Sequence, residues 1–146
     1  MVRPSLDPAL QPVEGYDRIV DADTVRAGFG LLLESGPEAI KEWLDPDVEM
    51  LGPSPSPWDC HGRDAVVGFL CEFEPGGTAL EVTESSDVGD RVLLGLRRRY
   101  GPRQIRDSFS VVSFREGRVI KIRGYPTRDQ ALAAIRADEA CRGDLR

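Results

Sequence analysis

The chain has 146 residues, of which 40% are hydrophobic and 30% are charged, and its formal net charge is −6 at pH 7. This length fits a single domain with one hydrophobic core, and no apolar run approaches the roughly 18 residues that cross a bilayer. A net negative charge repels phosphate backbones. The composition therefore argues against a membrane protein and against nucleic acid as a partner.

The two ends of the chain differ in pattern from its middle. The N-terminal residues lack the basic start and the apolar stretch of a secretory signal, so we expect a cytoplasmic protein. We predict a partly ordered N-terminal arm over 1–22, a folded domain over 23–137 and a C-terminal tail over 138–146.

Two patterns that would indicate a metal or a cofactor are incomplete. The cysteines, Cys60, Cys71 and Cys141, are odd in number and widely spaced, which predicts free thiols rather than disulfides or a metal site. The segment 28–30 begins like a dinucleotide fingerprint, but Leu33 stands where a third glycine is needed and no strand precedes it. We therefore expect no metal and no cofactor.

The first third of the chain predicts helices separated by breakers. Asp23 or Thr24 can cap a first helix, whose apolar residues recur at helical spacing. A glycine and a proline at 36–37 interrupt that helix, and the proline suits the first turn of a second one. The acidic breaker at 45–47 then ends the helical hairpin and leads into a short strand over 48–51.

The remainder of the chain predicts a third helix and then a sheet. A proline-serine loop over 52–57 precedes the helix. The pattern then changes to four strands joined by short turns, over 80–88, 91–100, 104–115 and 118–125. Thr127 and Gln130 have the form of a capping box and open a closing helix that ends near Ala137. Helices followed by a consecutive antiparallel sheet favour an α+β architecture.

Four segments resemble the SnoaL-like branch of the NTF2-like superfamily. Asp45–Glu49 is similar to the opening of its first strand, His61–Val66 to the start of its third helix, Phe114–Val119 to its last hairpin, and Arg128–Leu132 to its closing segment. Together they span about residues 24–137. The resemblance implies a cone-shaped α+β fold, in which a curved antiparallel sheet is covered by N-terminal helices around a pocket that holds small organic molecules.

Strand alternation predicts which side chains face that pocket. On the strand 91–100 the better inner face consists of Val92, Leu94, Leu96, Arg98 and Tyr100. Similarity to limonene epoxide hydrolases turns Arg106, Ser108, Ser110, Val112 and Phe114 of the next strand inward and leaves Phe109 and Val111 outside. An apolar outer face favours a homodimer interface there.

The register of the last hairpin has two alternatives. A plain two-residue turn at 116–117 places Val112 opposite Lys121, whereas a bulge restores a cleaner pairing of apolar residues.

The water-activating residues of limonene epoxide hydrolases are missing at the matching positions. Gly124 replaces an acid of the last strand, and Leu96 and Arg98 lie near the arginine and the second acid. Without a carboxylate pair that mechanism has no base. If the chain is an enzyme, we expect a cofactor-independent cyclase or isomerase rather than an epoxide hydrolase.

A cyclase or isomerase needs one acid or base in an apolar pocket, with its pKa shifted by burial. His61 is the natural candidate because it is the one histidine of the sequence and titrates near neutrality. The alternative is that His61 hydrogen-bonds the loop or caps the following helix. Glu49 and Asp107 are weaker candidates, since strand parity places both on the outer face.

Arg98 and Arg106, if both point inward on neighbouring strands, form a cationic site for a carboxylate, phosphate or enolate oxygen. The alternative is that one or both reach the rim and pair with Asp107 or Glu84. The other candidate ligand-binding residues are Met50, Trp58, Tyr100, Ser108 and Ser110. Trp43 has the spacing of a core residue, although it could also stack on a ligand.

Three functions remain open on these residues. The first is binding of an anionic or polar-headed organic ligand in the pocket. The second is a cyclase or isomerase that uses His61 as acid or base and the two arginines as oxyanion stabilisers. The third is an accessory domain that only dimerises through its outer sheet face.

Overall fold

The structure is a computed structural model that describes residues 21–57, 59–71, 79–99 and 101–144. Its helices are α1 (Ala22–Ser35), a 3-10 helix (Pro37–Trp43), α2 (Arg63–Leu70) and α3 (Arg128–Asp144). Its strands are β1 (Leu44–Leu51), β2 (Cys60–His61), β3 (Ala79–Val88), β4 (Arg91–Arg99), β5 (Ile105–Arg115) and β6 (Arg118–Tyr125). The predicted order of elements is confirmed, and the two-residue strand β2 is an addition to it.

Helix α1 begins two or three residues earlier than its pattern predicts. The cap is Asp21, whose Oδ1 accepts hydrogen bonds of 2.9 Å from both the backbone N–H and the hydroxyl of Thr24. These two bonds lower the pKa of Asp21. The prediction of Asp23 or Thr24 as cap was therefore wrong, because the acidic residues at 21 and 23 are equivalent in sequence and differ in backbone geometry.

The break after α1 follows the predicted glycine and proline. Gly36 has a φ of +89°, a conformation that favours glycine, and its N–H donates to the carbonyl of Leu32 over 2.9 Å. Pro37 then occupies the first turn of the next element, as predicted, but that element is a 3-10 helix rather than an α-helix.

The sheet has the strand order β2-β1-β6-β5-β4-β3. β3, β4, β5 and β6 form the predicted antiparallel meander. β1 joins it parallel to β6, and β2 lies antiparallel to β1. β1 begins at Leu44, earlier than predicted, because the breaker at 45–47 is accommodated in the strand instead of preceding it.

A bulge determines the register of the last hairpin. Val112 pairs with Ile122, and the register shifts between Ser113 and Phe114. The bulged alternative is thus the observed one. A second shift lies between Val82 and Glu84 in β3. Because a bulge bends and twists its strand, these two irregularities help the sheet to curve around its inner face.

The two faces of the curved sheet carry separate apolar clusters. On the concave face the buried residues Val92, Leu94 and Val112 pack against Ala22 of α1. A neighbouring cluster joins Val48 of β1 to the 3-10 helix and α2. The helices α1 and α2 therefore cover the concave face, as the architecture predicted.

The convex face is covered by α3. Ala131 and Ile135 of this helix pack on Leu93 and Val111, which are 0% and 5% exposed, and Phe109 lies partly buried in the same cluster. We predicted a homodimer interface because an apolar outer face at Phe109 and Val111 would need a cover. That reason is wrong, because α3 of the same chain covers this surface.

Helix α3 is capped and attached by polar contacts. The hydroxyl of Thr127 accepts a hydrogen bond from the N–H of Gln130 over 3.2 Å, so the cap is placed as predicted. Arg128 donates two bonds of 2.9 Å to Glu84 on β3, and they lower the pKa of Glu84. The helix continues to Asp144, past the predicted end near Ala137. No helix in the described part of the chain is long and apolar enough to span a bilayer.

Candidate functional site

A cavity of about 430 Å³ lies between the concave sheet face, α1 and the 3-10 helix. Val25, Phe29 and Leu32 of α1 form one wall, and side chains of β4, β5 and β6 form the opposite wall. Most of the lining is apolar. A mainly apolar cavity of this size with a few polar groups is typical of a site for a small organic molecule.

The wall between α1 and the 3-10 helix depends on Gly28. A Cβ added to this glycine would lie 2.8 Å from Cζ3 of Trp43, closer than side chains pack. Glycine therefore allows the indole ring to lie against α1. Trp43 both packs on α1, as its spacing predicted, and lines the cavity.

Arg98, Ser108 and Ser110 form a polar patch on the sheet wall of the cavity. Ser108 pairs with Leu96 and Ser110 pairs with Leu94, so the two hydroxyls share the inner face with Arg98, which is the next inward residue of β4. The structure therefore brings three of the predicted site residues to the cavity. Met50 of β1, predicted with them, also lines it.

Arg106 lies directly opposite Arg98 in the antiparallel pair of β4 and β5. Cross-strand partners have their side chains on the same face, so both arginines belong to the concave side. Arg98 is partly buried in the cavity wall, whereas Arg106 is exposed and lies beyond the lining residues. The predicted pair is thus one arginine in the cavity and one beside it.

The two acids considered as alternative partners are engaged elsewhere on the convex side. Asp107 accepts hydrogen bonds of 2.8 and 3.1 Å from Arg97, and these bonds lower the pKa of Asp107. Glu84 binds Arg128 of α3, as described above. Both carboxylates therefore neutralise arginines of the outer surface.

The structure does not bring His61 to the cavity. Its side chain is 65% exposed at the sheet edge, and its Nδ1 lies 2.7 Å from Oε2 of Glu49, its cross-strand partner. The adjacent Gly62 has a φ of +93°, caps α2 and donates to the carbonyl of Val48 over 2.8 Å. The alternative is corrected as well, because His61 contacts a residue of β1 rather than the loop, and the cap of α2 is Gly62. Trp58 and Tyr100 lie outside the described residues.

The cavity has a second polar region that the sequence analysis did not identify. Glu42 at the end of the 3-10 helix and Arg118 at the start of β6 both line it. Nε of Arg118 donates to the backbone carbonyl of Glu42 over 3.3 Å. No local pattern signals this contact, because it joins segments 76 residues apart.

The charges of the cavity wall are few. Among the described lining residues, those with ionisable side chains are Glu42, Arg98 and Arg118. Gly124, which has no side chain, also lines the wall. No group of three potential metal ligands occurs in the described ranges. Positive charge therefore exceeds negative charge among these lining residues.

Comparison with known proteins shows likeness in structure only. No protein-family model matches the sequence, and no curated protein matches it at a significant level. An NTF2-like protein of unknown function from Mesorhizobium loti superimposes with a TM-score of 0.63 at 20% identity, over 78% of this chain and 97% of its own.

Two further solved structures agree with this likeness. Bal32a, from a soil-derived mobile gene cassette, has a TM-score of 0.60 at 24% identity, over 76% of this chain and 92% of its own. TerC, co-crystallised with polyporic acid, has a TM-score of 0.57 at 21% identity, over 72% of this chain and 89% of its own. At such identities the likeness establishes a shared fold and nothing about activity.

Proposed function

We propose that this chain, which has the NTF2-like fold, is a SnoaL-like domain that binds a small organic acid in its cavity. The observation that carries the proposal is the placement of Arg98, Ser108 and Ser110 together on an otherwise largely apolar wall. The guanidinium and the two hydroxyls bind the acidic group, and the apolar walls hold the rest of the molecule.

The acidic group is favoured because the described polar patch supplies donors and positive charge. A guanidinium offers five N–H donors in a planar fork that matches a carboxylate. The serine hydroxyls can each donate one more bond to the same group. Arg106, on the same face and next to Arg98, adds positive charge at the edge of the site.

The register of Arg98 and Arg106 supports this role. Like charges directly opposite each other on neighbouring strands destabilise a sheet, and these two arginines are cross-strand partners. A bound anion at this place would be attracted by both guanidinium groups. A structural neighbour, TerC, was co-crystallised with an acid, which is consistent with an acidic ligand for this fold.

Isothermal titration with pairs of aromatic and aliphatic carboxylates and their neutral amides tests the proposal. We expect the wild type to prefer the carboxylate of each pair. Arg98→Met should weaken carboxylate binding by about 10- to 100-fold, which is the effect of losing a hydrogen bond to a charged group. Binding of the amides should change much less.

Arg99→Met is the matched control. Arg99 follows Arg98 in β4, but its side chain belongs to the opposite face of the strand. There its Nη2 lies 3.6 Å from Oε1 of Glu81. Its replacement should alter carboxylate affinity by less than about twofold. Equal binding of carboxylates and amides, or equal losses in the two variants, would contradict the proposed role of Arg98.

A further inference from the structure

The cavity is elongated along β5. Ser108 and Phe114 both line it, and they lie six residues apart on this strand. Since a strand rises about 3.3 Å per residue, this stretch of the bulged strand spans up to about 20 Å. A ligand that fills a volume of about 430 Å³ over this length is extended rather than compact.

The two arginines of the cavity wall lie at opposite ends of this length. Arg98 pairs with Arg106, next to the β4–β5 connection. Arg118 pairs with Arg115, next to the β5–β6 turn. Because β5 runs from the first connection to the second, one guanidinium lies toward each end of the apolar cavity.

The backbone around Arg118 holds this residue in a defined place. The turn residues Glu116 and Gly117 have φ values of +52° and +80°, the positive values of a tight hairpin turn. Nε of Arg118 then donates to the carbonyl of Glu42 across the gap between this hairpin and the 3-10 helix. This contact involves one of the five donors of the guanidinium, so the group can also bind an acceptor in the cavity.

We propose that Arg118 binds a second acidic group, so that the ligand is an elongated molecule with an acidic group at each end and an apolar middle. This inference rests on the proposed function, because Arg98 holds the first acidic group. Glu42 offers the opposite choice, a cationic far end, since its side chain belongs to the same region. The anionic choice is favoured because the hydrogen bond to the carbonyl of Glu42 holds the guanidinium of Arg118 at this end of the cavity.

Three series of linear probes of about 10 to 14 carbons, matched to the cavity length, distinguish these choices. They are α,ω-dicarboxylic acids, monocarboxylic acids and ω-amino carboxylic acids. We expect the wild type to bind the dicarboxylic acid of the best length about three- to tenfold more tightly than the monocarboxylic acid. The advantage is modest because Arg118 is exposed.

Arg118→Met should remove this advantage and leave monocarboxylate binding unchanged. Arg98→Met should weaken both acids. Arg26→Met, on the exposed side of α1, is the control and should change neither affinity.

The outcomes separate the two proposals. If Arg98→Met has no effect on any acid, the proposed function fails. If Arg98→Met weakens both acids but Arg118→Met weakens them equally or not at all, only the second acidic group is excluded. Tighter binding of the ω-amino acids than of the dicarboxylic acids would overturn the assignment of Arg118 in favour of Glu42. Unchanged thermal unfolding of each unliganded variant shows that the affinities report on binding.

Discussion

Asp45 connects the start of β1 to the end of β5. It is 7% exposed, and its carboxylate accepts hydrogen bonds from Arg115 over 2.8 and 3.3 Å and from the N–H of Asp47 over 2.8 Å. Burial raises the pKa of Asp45, but these bonds outweigh it and the pKa lies below the ordinary value of 3.8. A lowered pKa means that the ionised carboxylate stabilises the folded state.

Asp45→Asn should therefore lower the free energy of unfolding by about 1–3 kcal/mol at pH 7. The stabilisation by Asp45 is present above the ordinary pKa and is lost as the pH falls through the lowered folded-state value. The difference between the two proteins should thus shrink below about pH 4. Urea unfolding as a function of pH measures it.

Asp47→Asn is the control for this prediction. Asp47 contacts the same guanidinium over 3.3 Å, but its side chain is 79% exposed. An exposed pair contributes little, so its replacement should cost less than about 1 kcal/mol. Similar losses for both variants would show that burial of Asp45 is not the source of its effect.

At the residue scale, parity along a strand predicted the site better than residue chemistry did. Alternation along β4 predicted Arg98 on the inner face, and the resemblance to limonene epoxide hydrolases implied the same for Ser108 and Ser110; all three line the cavity. The usual titration range of histidine side chains favours His61 as an acid or base, yet His61 lies at the sheet edge beside Glu49. Titration range says nothing about position, whereas the period of a strand determines which face a side chain joins.

At the scale of the elements, the contact between α1 and the 3-10 helix shapes the cavity. Gly28 faces the indole of Trp43, while a Cβ at Gly30, two residues further, would meet no atom within 4 Å. The two glycines have similar neighbours in the sequence, but a side chain at Gly28 would be crowded and one at Gly30 would not. This difference provides a test of the packing with a matched pair of variants.

Gly28→Ala should destabilise the fold by about 1–3 kcal/mol, because the indole of Trp43 must move to admit the methyl group. Gly30→Ala should instead stabilise the fold by about 0.5–1 kcal/mol, because alanine has a higher helix propensity than glycine in a helix interior. Denaturant unfolding of the two variants measures both signs. A stabilising effect of Gly28→Ala would show that the indole moves away at no cost.

For helix α3 the sequence predicts the start of the helix but not its position in the fold. Its cap at Thr127 was readable from the sequence, but its position on the convex face was not. That position depends on long-range contacts of Ala131 and Ile135 with Leu93 and Val111. The apolar outer face therefore suggested a dimer interface, whereas in the structure α3 of the same chain covers it.

At the scale of the whole molecule, the charge distribution is uneven. The formal net charge is −6, yet five arginines occur between positions 97 and 106: Arg97, Arg98, Arg99, Arg103 and Arg106. They belong to the β4–β5 hairpin, whose concave side carries the polar patch of the cavity. Two of these arginines pair with Asp107 and Glu81, but the hairpin keeps an excess of arginine. Positive charge next to the proposed site speeds the approach of an anion.

Arg103→Glu should therefore lower the association rate of a carboxylate ligand several-fold at low salt, with little change in the dissociation rate of that ligand. The effect should disappear as the ionic strength approaches 1 M, where the Debye length is about 3 Å. Stopped-flow binding at several salt concentrations measures this dependence.

Lys41→Glu makes the same change of charge away from the hairpin, on the 3-10 helix where Lys41 lies 3.8 Å from Asp64. It should leave the association rate less affected than Arg103→Glu does. If the two variants lowered the association rate equally, the rate would depend on net charge and not on the position of the arginines in the hairpin.

The resemblance to limonene epoxide hydrolases implied the inward residues of β5. The order of the elements, the α+β class and the inward residues of β4 could be predicted from the residue pattern alone. These follow from local rules, namely the periods of helices and strands and the residues that end them. Three features became known from the folded structure: the bulged register at Ser113, the packing of α3 on the convex face and the contact of Arg118 with Glu42. Such features depend on contacts between residues far apart in the chain, whose partners no local pattern specifies.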